Sequence, residues 1–246
     1  MWILVVQFSK SYYFIQPNCD SEMIDSMATY EKVCEHLHLP FQSGSNDILK
    51  KMERGYTSDE YLEKISMFYD KIPQGVLTSD VIVGFPGESD KDFEETLHLV
   101  RQSRFQSIYI FKYSPRPGTP AFGMDCLVDN KVIDERFEEL TRVQKQITKE
   151  NHDKLVGSVQ EVLIDNKLQN SKNLLDCSAC CSEGVQPEKE FFSYAGKNRG
   201  SQRVLFLSKE KDLSVGQIVD VKILRGGMQN VQGFYPEHEV EMELVQ

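Results

Sequence analysis

Three stretches of this chain concentrate the residue types that a polar ligand needs. Gln42-Ser43-Gly44-Ser45 sets one glycine among three hydrogen-bonding side chains directly before a helix-like segment. Such a turn offers backbone N–H groups and hydroxyls to a ligand, and equally well begins an ordinary capped helix. The second stretch runs Asp80-Val81-Ile82-Val83-Gly84-Phe85-Pro86-Gly87-Glu88. Gly84 and Gly87 let a ligand approach the backbone closely, and Asp80 and Glu88 can accept hydrogen bonds from ribose hydroxyls or an amino group. The stretch lacks the Gly-Lys-Ser/Thr ending of a phosphate loop. In the third, Tyr113-Ser114-Pro115-Arg116-Pro117-Gly118-Thr119, two prolines fix the backbone around Arg116. Held there, a guanidinium can pair bidentately with a carboxylate or phosphate, or remain a surface charge.

Other reactive types are less organised. His36 and His38 flank one leucine, so on a strand they share a face. Two ligands without a third favour a hydrogen-bonding role over a metal site. Cys177, Cys180 and Cys181 include one zinc-like spacing but no second pair, so no metal is assigned there. The six cysteines of the 246 residues are too sparse for a disulfide framework and fit a reducing, cytoplasmic setting. The net charge of −10 excludes a broad electrostatic grip on nucleic acid, so any RNA contact must be local. The apolar run Trp2 to Phe8 is far shorter than the roughly 20 residues of a membrane helix, and no membrane partner is expected.

The elements that must position these groups follow from periodicity. Candidate strands at 12–16, 36–40, 76–84 and 107–113 alternate with amphipathic segments, the pattern of a mostly parallel α/β sheet. The three polar turns then fall at strand C-terminal ends, where such sheets build their sites. Thr57 with Glu60, and Ser89 with Asp92, read as capping boxes. The first helix carries Leu62, Ile65, Tyr69 and Ile72 on its apolar side; the second carries Phe93, Leu97 and Val100. One long helix is expected over 130–155, with Ile133, Phe137, Leu140, Gln144 and Ile147 at helical spacing. Beyond Gly157, glycine-separated strands at 159–164, 203–207, 218–224 and 240–244 predict a small antiparallel barrel. Its insertion around 169–190, holding the cysteine cluster, reads as a long loop. Between Ser193 and Gly226 seven basic residues face three acidic ones. Lys197, Arg199, Arg203, Lys222 and Arg225 are therefore the candidate RNA contacts, with a solvated mixed-charge surface as the alternative.

The strings HLPFQSGSNDILKKMERGYTSDEYL, TSDVIVGFPGESDKDFEETL and YIFKYSPRPGTPA, in this order, resemble the methylthiotransferase branch of the radical S-adenosylmethionine enzymes. The combination of HLP-QSGS with YSPRPGT is most similar to the tRNA enzymes that modify isopentenyl-adenosine beside the anticodon. Those acting on threonylcarbamoyl-adenosine are the nearest alternative. The resemblance implies the last four of six strands of a partial, TIM-like radical barrel over 1–125, a linker helix over 126–156, and an all-β TRAM-like RNA-binding barrel over 157–246. It implies S-adenosylmethionine as cofactor, with Gln42, Ser43, Ser45, Asp80, Gly84, Gly87, Glu88, Tyr113 and Arg116 as its contacts, and the tRNA anticodon arm as partner. The chemistry implied for the family is reductive cleavage of the sulfonium, hydrogen abstraction from adenine C2 and sulfur insertion with methylation. Family members hold a [4Fe–4S] cluster on a Cys-x3-Cys-x2-Cys loop, and no three cysteines of this chain have that spacing. The chain therefore resembles the C-terminal portion of such an enzyme. The expectation is that it is inactive alone, with an apolar sheet face left uncovered, and that either a separate N-terminal polypeptide completes it or the reading frame is truncated or its start misassigned. A non-catalytic RNA-binding remnant is the other reading.

Overall fold

The computed structural model describes residues 6–7, 19–168 and 191–235. The expected strand at 12–16, the 169–190 insertion with its three cysteines, and the expected strand at 240–244 lie outside the described residues. The chain divides into two compact units, residues 1–148 and 149–246.

The first unit is built on a parallel sheet of four strands in sequential order, β1 (Val6–Gln7), β2 (His36–His38), β3 (Val76–Val83) and β4 (Ser107–Lys112). Val6–Gln7, which the sequence reading left unassigned, takes the place beside β2. Between the strands lie α1 (Ser21–Thr29), α2 (Asn46–Lys51), α3 (Ser58–Lys71) and α4 (Asp90–Ser103), and α5 (Asn130–Asp153) follows β4. Parallel strands need such crossovers because a tight turn cannot return the chain to the same end of the sheet. Both expected capping boxes form, Thr57 with Glu60 on α3 and Ser89 with Asp92 on α4.

Residues on β3 alternate strictly, with Leu77, Ser79, Val81 and Val83 buried. Leu77, Val81 and Val83 join one core with Ile24 and Met27 of α1, Phe93, Leu97 and Val100 of α4, and Ile133, Leu140 and Ile147 of α5. The α3 stripe departs by one position from that expected: Tyr61, Ile65, Phe68 and Ile72 are buried, while Leu62 and Tyr69 are only partly so. The rings of Tyr61 and Phe68 take the interior, and Tyr61 can enter it because its hydroxyl donates to the Leu39 carbonyl at 2.6 Å.

The second unit is a closed barrel of β5 (Val159–Leu168), β6 (Phe192–Asn198), β7 (Arg203–Ser208), β9 (Val231–Phe234) and β8 (Ile218–Gly226), in that spatial order. β6 and β9 were not anticipated, because each carries a central glycine that weakens a strand signal. Nor is the barrel wholly antiparallel: β9 returns from β8 through a short turn and closes the barrel by pairing in parallel with β7. Val162, Ile164, Tyr194, Val204, Phe206, Val219, Val221, Ile223 and Val231 fill its interior. Gly196 and Gly233 sit where a Cβ would come within 2.3 Å of the Leu163 carbonyl and 2.4 Å of the Lys222 carbonyl. Each lies near a bulge, between Ile164 and Asn166 and between Ile223 and Arg225, so the corners of the barrel turn on glycine and bulge together.

Candidate functional site at the strand ends

The turns that follow β2, β3 and β4 are tied to one another by main-chain and side-chain bonds. Gln42 lies in the left-handed region at φ 65°, donates its N–H to the Asp80 carbonyl at 2.9 Å and accepts from Ile82 N–H at 2.9 Å. A buried non-glycine residue in that region costs roughly 1–3 kcal/mol, and such strain clusters at working sites. The next residues are inward-facing. Ser43 Oγ lies 3.5 Å from Thr96 Oγ1 and accepts from Ser45 N–H at 3.2 Å. Ser45 Oγ caps α2 by accepting from Ile48 N–H and donates to Asp92 Oδ1 at 2.5 Å. Burial by itself pushes the pKa of Asp92 up, but hydrogen bonds from Ser45 and Ser89, with Lys51 nearby, outweigh it and hold the carboxyl below its ordinary value. A Cβ on Gly44 would meet the Glu95 carbonyl at 2.5 Å, so this glycine serves close packing of the turn on α4.

The turn after β3 is fixed by an ion pair that the sequence reading missed. Glu88 Oε2 accepts from Gly84 N–H and from Arg136 Nη1, each at 2.7 Å. Arg136 also donates to the Glu88 carbonyl at 3.2 Å and, through Nη2, to Asp90 Oδ1 at 2.7 Å. The side chains of Glu88 and Arg136 are 1% and 7% exposed. Burial pushes the Glu88 carboxyl above its ordinary value, against the pull of the Gly84 N–H and Arg136. Its second oxygen, Oε1, is buried without a partner among the described residues. Gly84 and Gly87 both adopt φ 75°. The space beside Gly84 is filled by the Ile133 side chain, and that beside Gly87 by Lys51 Nζ, which donates to the Gly87 carbonyl at 3.0 Å. Arg136 had a positional signal: it lies three residues after Ile133 and four before Leu140, on the apolar side of α5, where a guanidinium needs a buried partner.

Tyr113 N–H donates to the Val83 carbonyl, so the third turn adjoins the second. Its ring stands edge-on to Phe85 at 5.3 Å and its hydroxyl donates to the Ala121 carbonyl at 3.0 Å. Arg116 is exposed on this turn. Asp80 stands apart from these buried groups, 3.5 Å from His38 Nε2. His36 Nε2 and His38 Nδ1 share the Thr78 hydroxyl at 2.9 and 3.0 Å, the hydrogen-bonding role expected of them. Thus Gln42, Ser43, Ser45, Gly84, Gly87, Glu88 and Tyr113 are brought together largely as the framework of the turns, while Asp80 and Arg116 retain solvent-facing groups.

Of the five basic candidates on the barrel, two are matched by β5 carboxylates: Arg203 Nη1 lies 3.1 Å from Asp165 and Arg199 Nη1 lies 3.9 Å from Glu161. Lys197, Lys222 and Arg225 are exposed and carry no ion pair among the described residues. The basic excess between 193 and 226 is thus narrowed by a strand outside that window. No group of three His, Cys, Asp or Glu side chains suited to a metal occurs among the described residues. No described helix is long and apolar enough to cross a membrane.

Residues 10–100 match the family model of the Radical SAM superfamily. Two relatives named tRNA-2-methylthio-N(6)-dimethylallyladenosine synthase align with most of the chain. That of Pelotomaculum thermopropionicum is 41% identical over 211 residues, 86% of this chain and 42% of the relative. That of Thermodesulfovibrio yellowstonii is 39% identical over 212 residues, 86% of this chain and 44% of the relative. The chain spans less than half the length of these relatives. Among solved structures, the Escherichia coli radical SAM enzyme coproporphyrinogen III oxidase (HemN) overlays with a TM-score of 0.45 at 15% identity, covering 53% of this chain and 30% of that one. Over residues 10–100 the chain is thus similar to the Radical SAM superfamily, and over 86% of its length to these synthases.

Proposed function

We propose that this chain supplies the cofactor- and substrate-facing strands of a tRNA methylthiotransferase acting at C2 of isopentenyl-adenosine beside the anticodon. The observation that carries this reading is the similarity to the synthases over 86% of the chain, including all three strand-end turns. In this reading residues 1–125 are the last four of six strands of a partial radical barrel, 126–156 a linker helix, and 157–246 a TRAM-like barrel that meets the anticodon arm. A separate N-terminal polypeptide would complete the sheet.

S-adenosylmethionine fits the groups present. The orphaned Glu88 Oε1 and the Asp80 carboxylate, whose side chain is 21% exposed, are acceptors for ribose hydroxyls or an ammonium, and Arg116 is a donor for a carboxylate. Bound there, the cofactor supplies a sulfonium whose carbon–sulfur bond can be cleaved reductively. The chain's own residues orient it: Arg136 and Glu88 hold the Gly84 turn, and the Gln42 main chain locks the neighbouring one. A [4Fe–4S] cluster does not fit this chain, whose six cysteines include no Cys-x3-Cys-x2-Cys run.

Two measurements test this reading. Equilibrium dialysis with labelled S-adenosylmethionine should show saturable binding that Asp80→Asn and Arg116→Ala each weaken; equal binding by all three proteins would overturn the site. Anaerobic incubation of the chain with reductant, cofactor and tRNA should give no methylthio-adenosine by nucleoside mass spectrometry. Product formation would show that cluster chemistry needs nothing beyond this chain. The RNA-binding remnant is favoured by one observation, the three cations Lys197, Lys222 and Arg225, which carry no ion pair among the described residues. It predicts salt-dependent tRNA binding without any cofactor binding.

A further inference from the structure

The sheet has a second face, opposite the helices, and its aromatic residues are not explained by the cofactor turns. Tyr109 and Phe111 occupy alternate positions on the edge strand β4, so they share that face, and they remain 61% and 49% exposed. Asp80 stands in register with Tyr109 and Ile82 with Phe111. His38 meets Tyr109 edge-on, with ring centroids 6.2 Å apart. That imidazole is itself fixed, by the Thr78 hydroxyl at one nitrogen and Asp80 at the other. Where an apolar uncovered face was expected, the structure has two presented rings backed by a hydrogen-bonded row.

We infer that Tyr109 and Phe111 form a stacking platform for an unstacked RNA purine, an inference that rests on the reading of the chain as part of a tRNA-adenosine enzyme. Three features select a base over other occupants. Stacking needs exposed, flat, laterally fixed rings, and the His38 contact fixes Tyr109. The Asp80 carboxylate beside the rings repels a phosphate, so the backbone of a strand cannot lie here while a base can. An apolar protein segment would strip water from Asp80, His38 and Thr78 without offering them partners. A purine ring covers the aromatic pair and leaves its polar edge toward the row of hydrogen-bonding groups. Because the grip is through ring faces, it favours purine over pyrimidine by area and reads little of the base edge.

The test uses the full chain and 2-aminopurine, whose fluorescence is quenched on stacking. An RNA hairpin with 2-aminopurine unpaired in its loop should bind and be quenched. Tyr109→Ala with Phe111→Ala should weaken that binding roughly 5- to 100-fold. Tyr109→Trp should keep it, and an abasic hairpin should bind wild type and double variant equally. Both positions are exposed, so unchanged thermal unfolding of the double variant checks the fold. A second arm uses the free 2-aminopurine riboside. Quenching by wild type but not by the double variant supports the platform even if the hairpin fails to bind, in which case it is the tRNA reading that falls. Equal quenching of the riboside by both proteins overturns the platform. Loss of hairpin quenching on adding S-adenosylmethionine overturns it as well, by showing that the rings take the cofactor's adenine instead.

Discussion

The two units handle polar groups in opposite ways. In the first, Ser43, Ser45, Glu88, Asp92, Thr96 and Arg136 are all buried, and each bonds to a group far away in sequence or across a turn. In the second, the side chains that fill the barrel are apolar apart from the Tyr194 hydroxyl, shared between the Glu210 and Lys211 carbonyls; the buried polar side chains His152, Ser193, Asn198, Gln202 and Ser208 include no carboxylate or guanidinium, and the ion pairs among the described residues lie on the outside. A buried ion pair adds little net stability over an apolar equivalent, because desolvation offsets the attraction. What it adds is one defined position for the groups it joins. Position matters at the strand ends, where three turns must keep their mutual geometry; a barrel that only has to present an outer surface can be held by apolar burial.

The sharpest way to break this contrast is Arg136→Met. The variant leaves the Glu88 carboxylate buried without its counter-charge, which costs about 3–5 kcal/mol at neutral pH. Urea unfolding of the full chain should show the transition of the first unit moved to lower denaturant and that of the barrel unmoved. Glu88 is already held above its ordinary value, so the folded state binds the proton more tightly than the unfolded one. Its contribution therefore falls as pH rises from the ordinary carboxyl value through the folded one, and Arg136→Met should widen that window upward. The double variant Arg136→Met with Glu88→Gln should recover part of the loss, because no buried charge remains.

The barrel answers to shape rather than charge. Gly196→Ala places a methyl against the Leu163 carbonyl at a separation that real structures do not tolerate, so β5 and β6 must part. Overpacking of this kind costs about 1–3 kcal/mol, here concentrated on closure of the barrel. Hydrogen exchange should quicken in β5 and β6 while β3 and α4 keep their protection; protection lost equally in both units would mean that they do not differ as described.

The elements legible in the sequence are those whose signal is local. Both capping boxes join residues three apart, and β3 and α5 declare themselves by strict alternation and by a long helical stripe. What escaped depends on partners distant in the chain. Arg136 bonds to Glu88 48 residues away, and its meaning exists only when α5 lies over the Gly84 turn. The basic window on the barrel looked richer than it is because Asp165 and Glu161 pair with it from a strand nearly 40 residues earlier. β6 and β9 were hidden by the very glycines that let the barrel close. Likewise the strand-end residues were readable as a set, but not as framework against ligand-facing groups, since that division depends on burial.

A third experiment separates the units by pH. His152 is 2% exposed and its ring nitrogen Nδ1 bonds to the Gly227 carbonyl, joining the last turn of α5 to the β8–β9 turn within the second unit. Burial lowers its proton affinity below the ordinary imidazole value, so the unfolded state binds the proton more readily. The second unit accordingly loses stability as pH falls through the ordinary imidazole value, whereas Glu88 makes the first unit firmer as pH drops toward the carboxyl range. Thermal unfolding followed at both units between pH 7.5 and 5 should show the barrel transition moving down, by up to about 1.4 kcal/mol per unit of pH across the window. His152→Gln should abolish that movement.

The smallest effect belongs to the surface pairs, and it measures how far the contrast extends. Arg203 and Asp165 lie 3.1 Å apart, but their side chains are 43% and 37% exposed. Water screens the attraction there, and ordering two long side chains opposes it, so Arg203→Ala should shift barrel stability by no more than about 0.5 kcal/mol, fading with added salt. Its consequence for RNA should be equally small, because neutralising the arginine frees the Asp165 carboxylate on the same surface. Lys222→Ala and Arg225→Ala remove cations that have no such partner among the described residues. Each that contacts a phosphate should lower the slope of log affinity against log salt by about 0.7 to 0.9, a change filter binding can resolve. If Arg203→Ala lowers the slope as much as either of them, the ion pair opens on RNA binding. The barrel's outer charges then belong to a working surface, and the difference between the units is one of exposure alone.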